Sequence, residues 1–295
     1  MLQISGSIPA LVTPFQQGRI DEKSFAAFVE WQVAEGASAL APCGTTGESP
    51  TLSIEEHDHV IGLAVKAAKG RVPVVAGCGS NDTRVALHHM ETAARAGADV
   101  ALVVCPYYNK PGQRGLLAHF DYLAKHGPLP ILIYNIPGRA GIDMATETMA
   151  ELAAHRNIVG CKESTGDIER ISAIRHQCGK DFLILSGNDY MTLGVIAHGG
   201  HGAISVTANV APAENAALVK AALAGDFKTA LALQDRLFPL HRALFTDSSP
   251  GPTKYALARL GRLSAETRLP VIGPSAESKA AVDAAMAHAG IAPAG

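Results

Sequence analysis

The sequence predicts a (β/α)₈ barrel followed by a small helical domain. Three observations carry this prediction: short apolar runs recur eight times before residue 224, amphipathic segments separate them, and no strand-like run follows them. Continuous apolar strands without polar alternation are typical of a parallel sheet covered on both faces, and eight such strands can close into a barrel. We therefore predict the barrel over residues 1–224 and a three-helix domain over residues 225–295.

The predicted strands alternate with helical segments along the chain. Segments such as 21–35, 54–69 and 83–96 carry apolar residues at helical spacing, with charged residues on the opposite face. An open doubly wound sheet is the alternative architecture, but no GxGxxG motif follows the first apolar run, where such a sheet would usually bind a dinucleotide. The strands are predicted, in chain order, over residues 8–14, 39–44, 72–79, 99–108, 130–137, 157–163, 182–188 and 202–207, and the C-terminal helices over 226–245, 252–260 and 275–288.

The composition excludes several classes of partner. Twenty-five Lys and Arg against 27 Asp and Glu give a formal net charge of -2, so we expect no binding of nucleic acid or of anionic lipid. No segment approaches the roughly 18 to 20 apolar residues of a membrane span, and the N-terminal segment lacks the features of a signal peptide. The five cysteines are odd in number and widely spaced, which favours free thiols. We expect a cytoplasmic protein whose partners are small molecules or further copies of itself.

Lys162 is the strongest candidate for chemistry in the sequence. It follows Ile158 and Gly160 at a spacing of two on an otherwise apolar strand, so its side chain is predicted to point to the same side as theirs. If that side is the barrel interior, burial disfavours the charged ammonium, and a neutral amine can attack a ketone. The alternative is a strand-end lysine paired with the adjacent Glu163, but adjacent strand residues point to opposite faces.

Further polar residues end the neighbouring strands. Tyr134 ends the strand before that of Lys162, so its phenol is expected within reach of the amine and could move protons, although a strand-end tyrosine is often a core residue. The segment GTTGES at 44–49 is either an anion cradle or a pair of hydroxyl groups, Thr45 and Thr46, that donate to a carboxylate and relay protons. The structural alternative is a glycine turn before a helix that Ser53 caps.

Arg139 lies just past the turn that follows Tyr134, at the predicted mouth of the barrel. A guanidinium group there can bind a carboxylate through two hydrogen bonds, although most arginines on surface loops are simply solvated. The histidine-rich segments 57–59, 88–89 and 198–201 lack the HExxH spacing of a zinc site, so we predict no metal site and no cofactor.

Four motifs together resemble those of the dihydrodipicolinate synthase family, within the pyruvate-dependent class I aldolases that also include N-acetylneuraminate lyase. They are GTTGES at 44–49, PYYNKP at 106–111, YNIPGR at 134–139 and GCKEST at 160–165, and the resemblance runs from residue 6 to about residue 290. It implies that Lys162 forms a Schiff base with pyruvate. It also implies a proton relay of Tyr134, Thr46 and Tyr108, with the last supplied by a partner subunit.

The resemblance assigns the remaining site residues and the assembly. Thr45 would support the relay, Thr46 and Ile204 would line the pyruvate pocket, and Arg139 would bind the carboxylate of L-aspartate 4-semialdehyde. The implied product is 4-hydroxy-tetrahydrodipicolinate, in lysine and diaminopimelate biosynthesis. The implied assembly is a homotetramer, a dimer of dimers, in which Tyr108 crosses to the neighbouring site.

Three other functions stay open at this stage. Related barrels with the same lysine cleave sialic acid or 2-keto-3-deoxy sugar acids, but the two threonines of GTTGES and Arg139 favour a second substrate that carries a carboxylate. A barrel that binds pyruvate without turnover is a second possibility, against which the complete set of relay residues argues. A phosphate-binding or metal-dependent barrel is disfavoured because its ligand motifs are missing.

The resemblance also maps a lysine feedback site onto the chain. Ile54 and Val85 are apolar where a histidine and an acid would help to hold a cationic amino acid, and the missing charge partner is worth about 1.5 to 3 kcal/mol. We therefore predict weak or absent inhibition by lysine. The mapped positions are Ser49, Pro50, Ile54, His57, Asn81, Val85 and Tyr107, of which Ser49, His57, Asn81 and Tyr107 suit such a ligand.

Overall fold

A computed structural model describes residues 4–294, and a curved parallel sheet forms its centre. Seven strands pair in the order β1-β9-β8-β7-β6-β5-β4, so neighbours in the sheet follow each other along the chain. A separate antiparallel pair, β2 with β3, was not predicted, because two residues per strand give no readable alternation. The strands are β1 (Gly6–Pro9), β2 (Phe15–Gln16), β3 (Arg19–Ile20), β4 (Val75–Gly77), β5 (Val100–Val104), β6 (Ile131–Asn135), β7 (Ile158–Glu163), β8 (Leu183–Ser186) and β9 (Gly202–Ser205).

Residues 39–41 close the sheet between β1 and β4. On one side the Ala41 amide donates to the Pro9 carbonyl at 3.0 Å, and on the other the Val75 amide donates to the Leu40 carbonyl at 2.8 Å. The segment therefore occupies the place of the second strand, and the predicted (β/α)₈ barrel is confirmed. It is shorter than the predicted strand over 39–44, because Pro42 has no amide hydrogen and Cys43 turns the backbone into the left-handed region at φ 55°.

Helices cover the outside of the sheet and continue beyond it. Ser53 starts the second helix through a capping box with Glu56, as predicted, so the cap does not involve the threonines at 45 and 46. The barrel helices are α1 (Glu22–Ala34), α2 (Ile54–Ala68), α3 (Thr83–Ala96), α4 (Gln113–His126), α5 (Pro137–Ala140), α6 (Thr146–Ala153), α7 (Ile168–Cys178), α8 (Thr192–Ala197) and α9 (Pro212–Leu223).

Three helices follow the last barrel helix. They are α10 (Phe227–Ala243), α11 (Gly251–Arg259) and α12 (Ala276–His288), close to the predicted bounds. Since α10 packs against both α9 and α12, these helices lie directly on the barrel. The domain boundary at residue 225 stays a prediction, and the predicted limits at residues 1 and 295 lie outside the described residues.

The apolar residues form two layers. The larger layer lies between the strands and the surrounding helices. The smaller layer fills the barrel interior and includes Ile8, Leu132, Leu185 and Ile204, each at most 1% exposed. A side chain that points into this inner layer is therefore surrounded by hydrocarbon and removed from water.

Candidate active site

Lys162 points into the barrel and lies beside Tyr134. Strands β6 and β7 pair so that Leu132 lies opposite Gly160 and Tyr134 lies opposite Lys162. Because Leu132 and Tyr134 belong to the inner layer, the register turns Lys162 inward as well. The lysine Nζ lies 4.1 Å from the centre of the Tyr134 ring, and each residue is 6% exposed. The two side chains that sequence reasoning placed together are therefore in contact.

Glu163 does not pair with Lys162. It points to the opposite face of β7, where its carboxylate accepts a hydrogen bond from Arg170 Nε at 2.9 Å and another from the Thr165 amide at 2.8 Å. The alternative interpretation of Lys162 as a strand-end partner of Glu163 is therefore wrong, for the reason expected from the alternation of a strand.

Gly187 and Ser164 adjoin the Lys162 side chain, and sequence reasoning missed both. A Cβ at position 187 would lie 1.8 Å from Ser164 Oγ and 2.9 Å from Lys162 Cε, so a larger residue there would displace both side chains. Among residues 4–294, Ser164 Oγ is buried without a hydrogen-bond partner. Each residue directly follows a strand, and Ser164 lies inside the GCKEST motif. Their position at the carboxyl ends of strands, where barrel sites form, is the signal that points to them.

The loop at 44–49 is folded on itself. The amides of Gly47 and Ser49 donate to the Gly44 carbonyl at 3.1 and 3.4 Å, and the Glu48 amide donates to the Thr45 carbonyl at 3.1 Å. These three amides are therefore already used within the loop. Thr46 is buried and Thr45 is half-buried, and both interpretations of the loop, an anion cradle and a pair of hydroxyl groups, stay open.

Glu48 ties this loop to the C-terminal helices. Its carboxylate lies 2.5 Å from Lys254 Nζ on α11, and both side chains are almost fully buried. The lysine also donates to the Glu266 carbonyl at 2.8 Å and lies 4.1 Å from the centre of the Phe15 ring. Burial lowers the pKa of Lys254 to about 8, with Glu48 opposing that shift. Sequence reasoning missed this pair because its members lie in different predicted domains.

The remaining predicted site residues divide between the interior and the surface. Ile204 belongs to the same inner layer as Tyr134. Arg139 lies on α5 and is exposed. Tyr108 is 88% exposed and has a left-handed backbone at φ 69°, so within one chain its ring does not reach the buried Lys162.

Two positions of the mapped lysine site, Ile54 and Val85, lie in the first turns of α2 and α3. Ile54 and Val85 line a cavity of about 240 Å³ together with Asp82, Arg84 and His88. The only carboxylate of that lining is paired with Arg84 at 2.8 Å, and this hydrogen bond lowers the pKa of Asp82 to about 2. Ser49, Asn81 and Tyr107 are half-buried, whereas His57 is buried.

No helix among residues 4–294 has the length and apolar character needed to cross a membrane.

Known proteins agree with this architecture. The sequence model of the dihydrodipicolinate synthetase family matches residues 3–289. The chain belongs to this family. One family relative, the 4-hydroxy-tetrahydrodipicolinate synthase of Rhizorhabdus wittichii, is 61% identical over 98% of this chain and 99% of its own length.

Solved structures of family proteins superpose closely on the chain. Dihydrodipicolinate synthase from Aquifex aeolicus is 44% identical, with a TM-score of 0.97 over 99% of this chain and 100% of that chain. The dihydrodipicolinate synthase from Acinetobacter baumannii, solved in complex with pyruvate, is 40% identical, with a TM-score of 0.96 over 98% of this chain and 100% of that chain. The family resemblance drawn from the four motifs is therefore confirmed.

Replacement of Lys254 by Met is expected to lower the free energy of unfolding by about 3 to 5 kcal/mol, because it leaves the Glu48 carboxylate buried without its charge partner. The double variant Glu48→Gln/Lys254→Met should recover most of this loss. Urea denaturation followed by circular dichroism measures both values.

The matched control is Lys125→Met, which removes an exposed ion pair with Asp121 and should change stability by less than about 1 kcal/mol. Equal effects of the two lysine variants would contradict a structural role of the buried pair.

Proposed function

We propose that the chain is a 4-hydroxy-tetrahydrodipicolinate synthase, which condenses pyruvate, bound as a Schiff base on Lys162, with L-aspartate 4-semialdehyde. One observation carries the proposal: an amine buried inside the barrel, 4.1 Å from the ring of Tyr134, in a chain 61% identical to a protein of that name. The pyruvate complex of the Acinetobacter baumannii relative supports pyruvate as the first substrate.

The first half of the reaction needs a neutral amine and a proton carrier. The Lys162 amine attacks the keto carbon of pyruvate, and the resulting carbinolamine loses water to give an imine. Loss of a proton from the methyl group then gives the enamine. Tyr134 lies where its phenol can move the protons of these steps, and such acid-base help contributes typically about 10² to 10⁴ in rate. Thr46, with Thr45 beside it, completes the relay and holds the pyruvate carboxylate, and Ile204 covers the pocket.

The second half joins the two substrates and releases the enzyme. The enamine carbon attacks the aldehyde of L-aspartate 4-semialdehyde, which becomes the 4-hydroxyl group. The amino group of that substrate then attacks the imine carbon and displaces Lys162, so the ring closes and the amine is free again. The net change is one molecule of product and one of water from the two substrates. Arg139, at the exposed mouth, binds the carboxylate of the aldehyde substrate.

The proposed enzyme is a homotetramer, a dimer of dimers, in which each Tyr108 enters the site of a neighbouring chain. An aromatic side chain that is 88% exposed gains little in a single chain, and its left-handed backbone at φ 69° costs about 1 to 3 kcal/mol. Insertion into a neighbouring site would bury the ring and would place a third hydroxyl group at the relay. The exposed Tyr108 therefore supports an assembly of at least two chains.

The proposed setting is the cytoplasm, in the biosynthesis of lysine and diaminopimelate. All five cysteines are free thiols, as expected in a reducing compartment. The proposed reaction draws on the covalent chemistry of Lys162 and uses no metal or organic cofactor.

Treatment with pyruvate and borohydride should attach a reduced pyruvyl group to Lys162, because borohydride traps an imine as a stable amine. Mass spectrometry of the protein and of its peptides locates the group. Lys180→Arg, a change at another lysine, should leave the adduct in place, whereas Lys162→Arg should abolish it. Adduct formation without turnover of L-aspartate 4-semialdehyde would indicate a silent pyruvate-binding barrel, and turnover of a sugar acid instead would indicate an aldolase.

Mixed oligomers test whether Tyr108 acts across an interface. We expect Lys162→Ala to be inactive and Tyr108→Phe to be slowed by about 10² or more, because a relay hydroxyl is lost. In a mixed pair of the two variants, one site has both native residues only if Tyr108 comes from the partner. Co-expression with two different tags should therefore restore activity above either variant alone. If the mixed oligomers are no more active than the same amount of Tyr108→Phe subunits alone, Tyr108 does not act in the neighbouring site.

Activity is expected to persist at millimolar L-lysine, since the carboxylate that would pair with the lysine amino group is replaced by Val85. Val85→Glu should strengthen inhibition by about tenfold or more, which corresponds to about 1.4 kcal/mol, whereas Val85→Gln should not. Initial rates over a lysine titration measure the half-point. Half-maximal inhibition of the unmodified chain at low micromolar lysine would show that Ile54 and Val85 do not weaken the lysine site.

A further inference from the structure

Helices α2 and α3 bring two histidines and an aspartate together, away from Lys162. His57 and Asp58 lie on α2, and His89 lies on α3. The Asp58 carboxylate oxygen Oδ1 lies 3.5 Å from His57 Nδ1 and 3.8 Å from His89 Nδ1. The three ligand-type atoms all lie within 4.8 Å of one another. We call these residues the histidine-aspartate cluster.

The hydrogen bonds of His57 fix which of its nitrogens is free. Its Nε2 lies 2.8 Å from the Gly77 carbonyl, which can only accept, so Nε2 carries the hydrogen. In the neutral ring, Nδ1 then presents a lone pair toward Asp58.

One nitrogen of each histidine in the cluster is buried without a partner in the described part of the chain. Among residues 4–294, neither His57 Nδ1 nor His89 Nδ1 has a hydrogen-bond partner, and the two residues are 5% and 8% exposed. Buried polar atoms are normally satisfied, so two orphaned nitrogens facing one carboxylate need an explanation. A cation bound between them and the Asp58 carboxylate supplies a partner for both nitrogens.

We propose that His57, Asp58 and His89 bind a divalent transition-metal ion of the zinc type. Zinc binds imidazole nitrogen and carboxylate oxygen at about 2.0 to 2.2 Å, which places neighbouring ligands of a tetrahedron about 3.3 to 3.6 Å apart. The two separations from Asp58 Oδ1, 3.5 and 3.8 Å, need only a small contraction, and the two histidine nitrogens lie within 4.8 Å of each other. His88, whose Nε2 lies 3.8 Å from the other Asp58 oxygen, stands at the rim and can take the fourth position, or water can.

The groups behind the cluster are those that orient metal ligands. The Gly77 carbonyl accepts from the far nitrogen of His57, and Thr92 Oγ1 donates to Asp58 Oδ1 at 2.8 Å. Such outer hydrogen bonds hold ligands in place, and their loss typically weakens metal binding by about 10- to 100-fold. The prediction of no metal considered motifs within single segments, and this cluster combines α2 with α3. The site lies outside the Lys162 chemistry, so it does not depend on the proposed function.

The test uses the full chain after dialysis against a chelator. Titration with ZnCl₂ in a calorimeter should show one ion per chain, and CoCl₂ should give the intense visible absorption of tetrahedral cobalt. His89→Gln and Asp58→Asn should each weaken binding by at least about 10- to 100-fold. His59→Gln, an exposed neighbour that pairs with Glu22, is the matched control and should bind as the unmodified chain does. Zinc should raise the melting temperature of the unmodified chain and of the control only.

Two results would overturn the proposal. One is the absence of metal binding in the unmodified chain. The other is equal binding by His89→Gln, Asp58→Asn and the control, which would place the ion on surface histidines. Circular dichroism shows whether a variant has folded. If His89→Gln or Asp58→Asn does not fold, the cobalt spectrum of the other variant is the test of the proposal.

Discussion

The site depends on an amine that is held inside hydrocarbon without an acid beside it. The alternation of β7 accomplishes this in four residues: Gly160 and Lys162 face the inner layer, while Cys161 and Glu163 face the helices. Had Glu163 faced inward, its carboxylate would have lain beside the Lys162 amine. Instead Arg170 neutralises the glutamate on the outer face.

A second constraint reaches the site from the C-terminal helices. The loop at 44–49 has left-handed backbone conformations at Cys43, just before it, and at Glu48. Lys254 on α11 holds Glu48 in a buried ion pair. Arg268 adds to the same arrangement, since its amide donates to Glu48 at 2.9 Å and its guanidinium pairs with Glu56. Buried pairs contribute little net stability but penalise alternative arrangements when one partner is misplaced. The appended helices thus specify the conformation of a loop in the barrel.

The sequence predicted the features that depend on the spacing of apolar residues within a segment and on the order of segments along the chain. A spacing of two was enough to orient Lys162, and eight apolar runs were enough to predict the barrel. It could not predict the pairing of Glu48 with Lys254, because no local pattern links residues so far apart. Nor could it predict that Gly187 lies against the Lys162 side chain, since this contact forms only when β7 and β8 pair. The histidine-aspartate cluster escaped for the same reason: its nitrogens come from separate helices.

Two features of the chain have a common physical meaning. Tyr108 exposes a large aromatic ring from a strained backbone, and the histidine-aspartate cluster buries two histidine nitrogens without partners in the described chain. Each arrangement is unfavourable for an isolated chain, one through exposed apolar area and the other through unsatisfied polar atoms. In the proposals made above, a neighbouring subunit would remove the first cost and a cation the second. Local strain and unsatisfied groups often occur at binding sites, which is why these two features motivate the proposals.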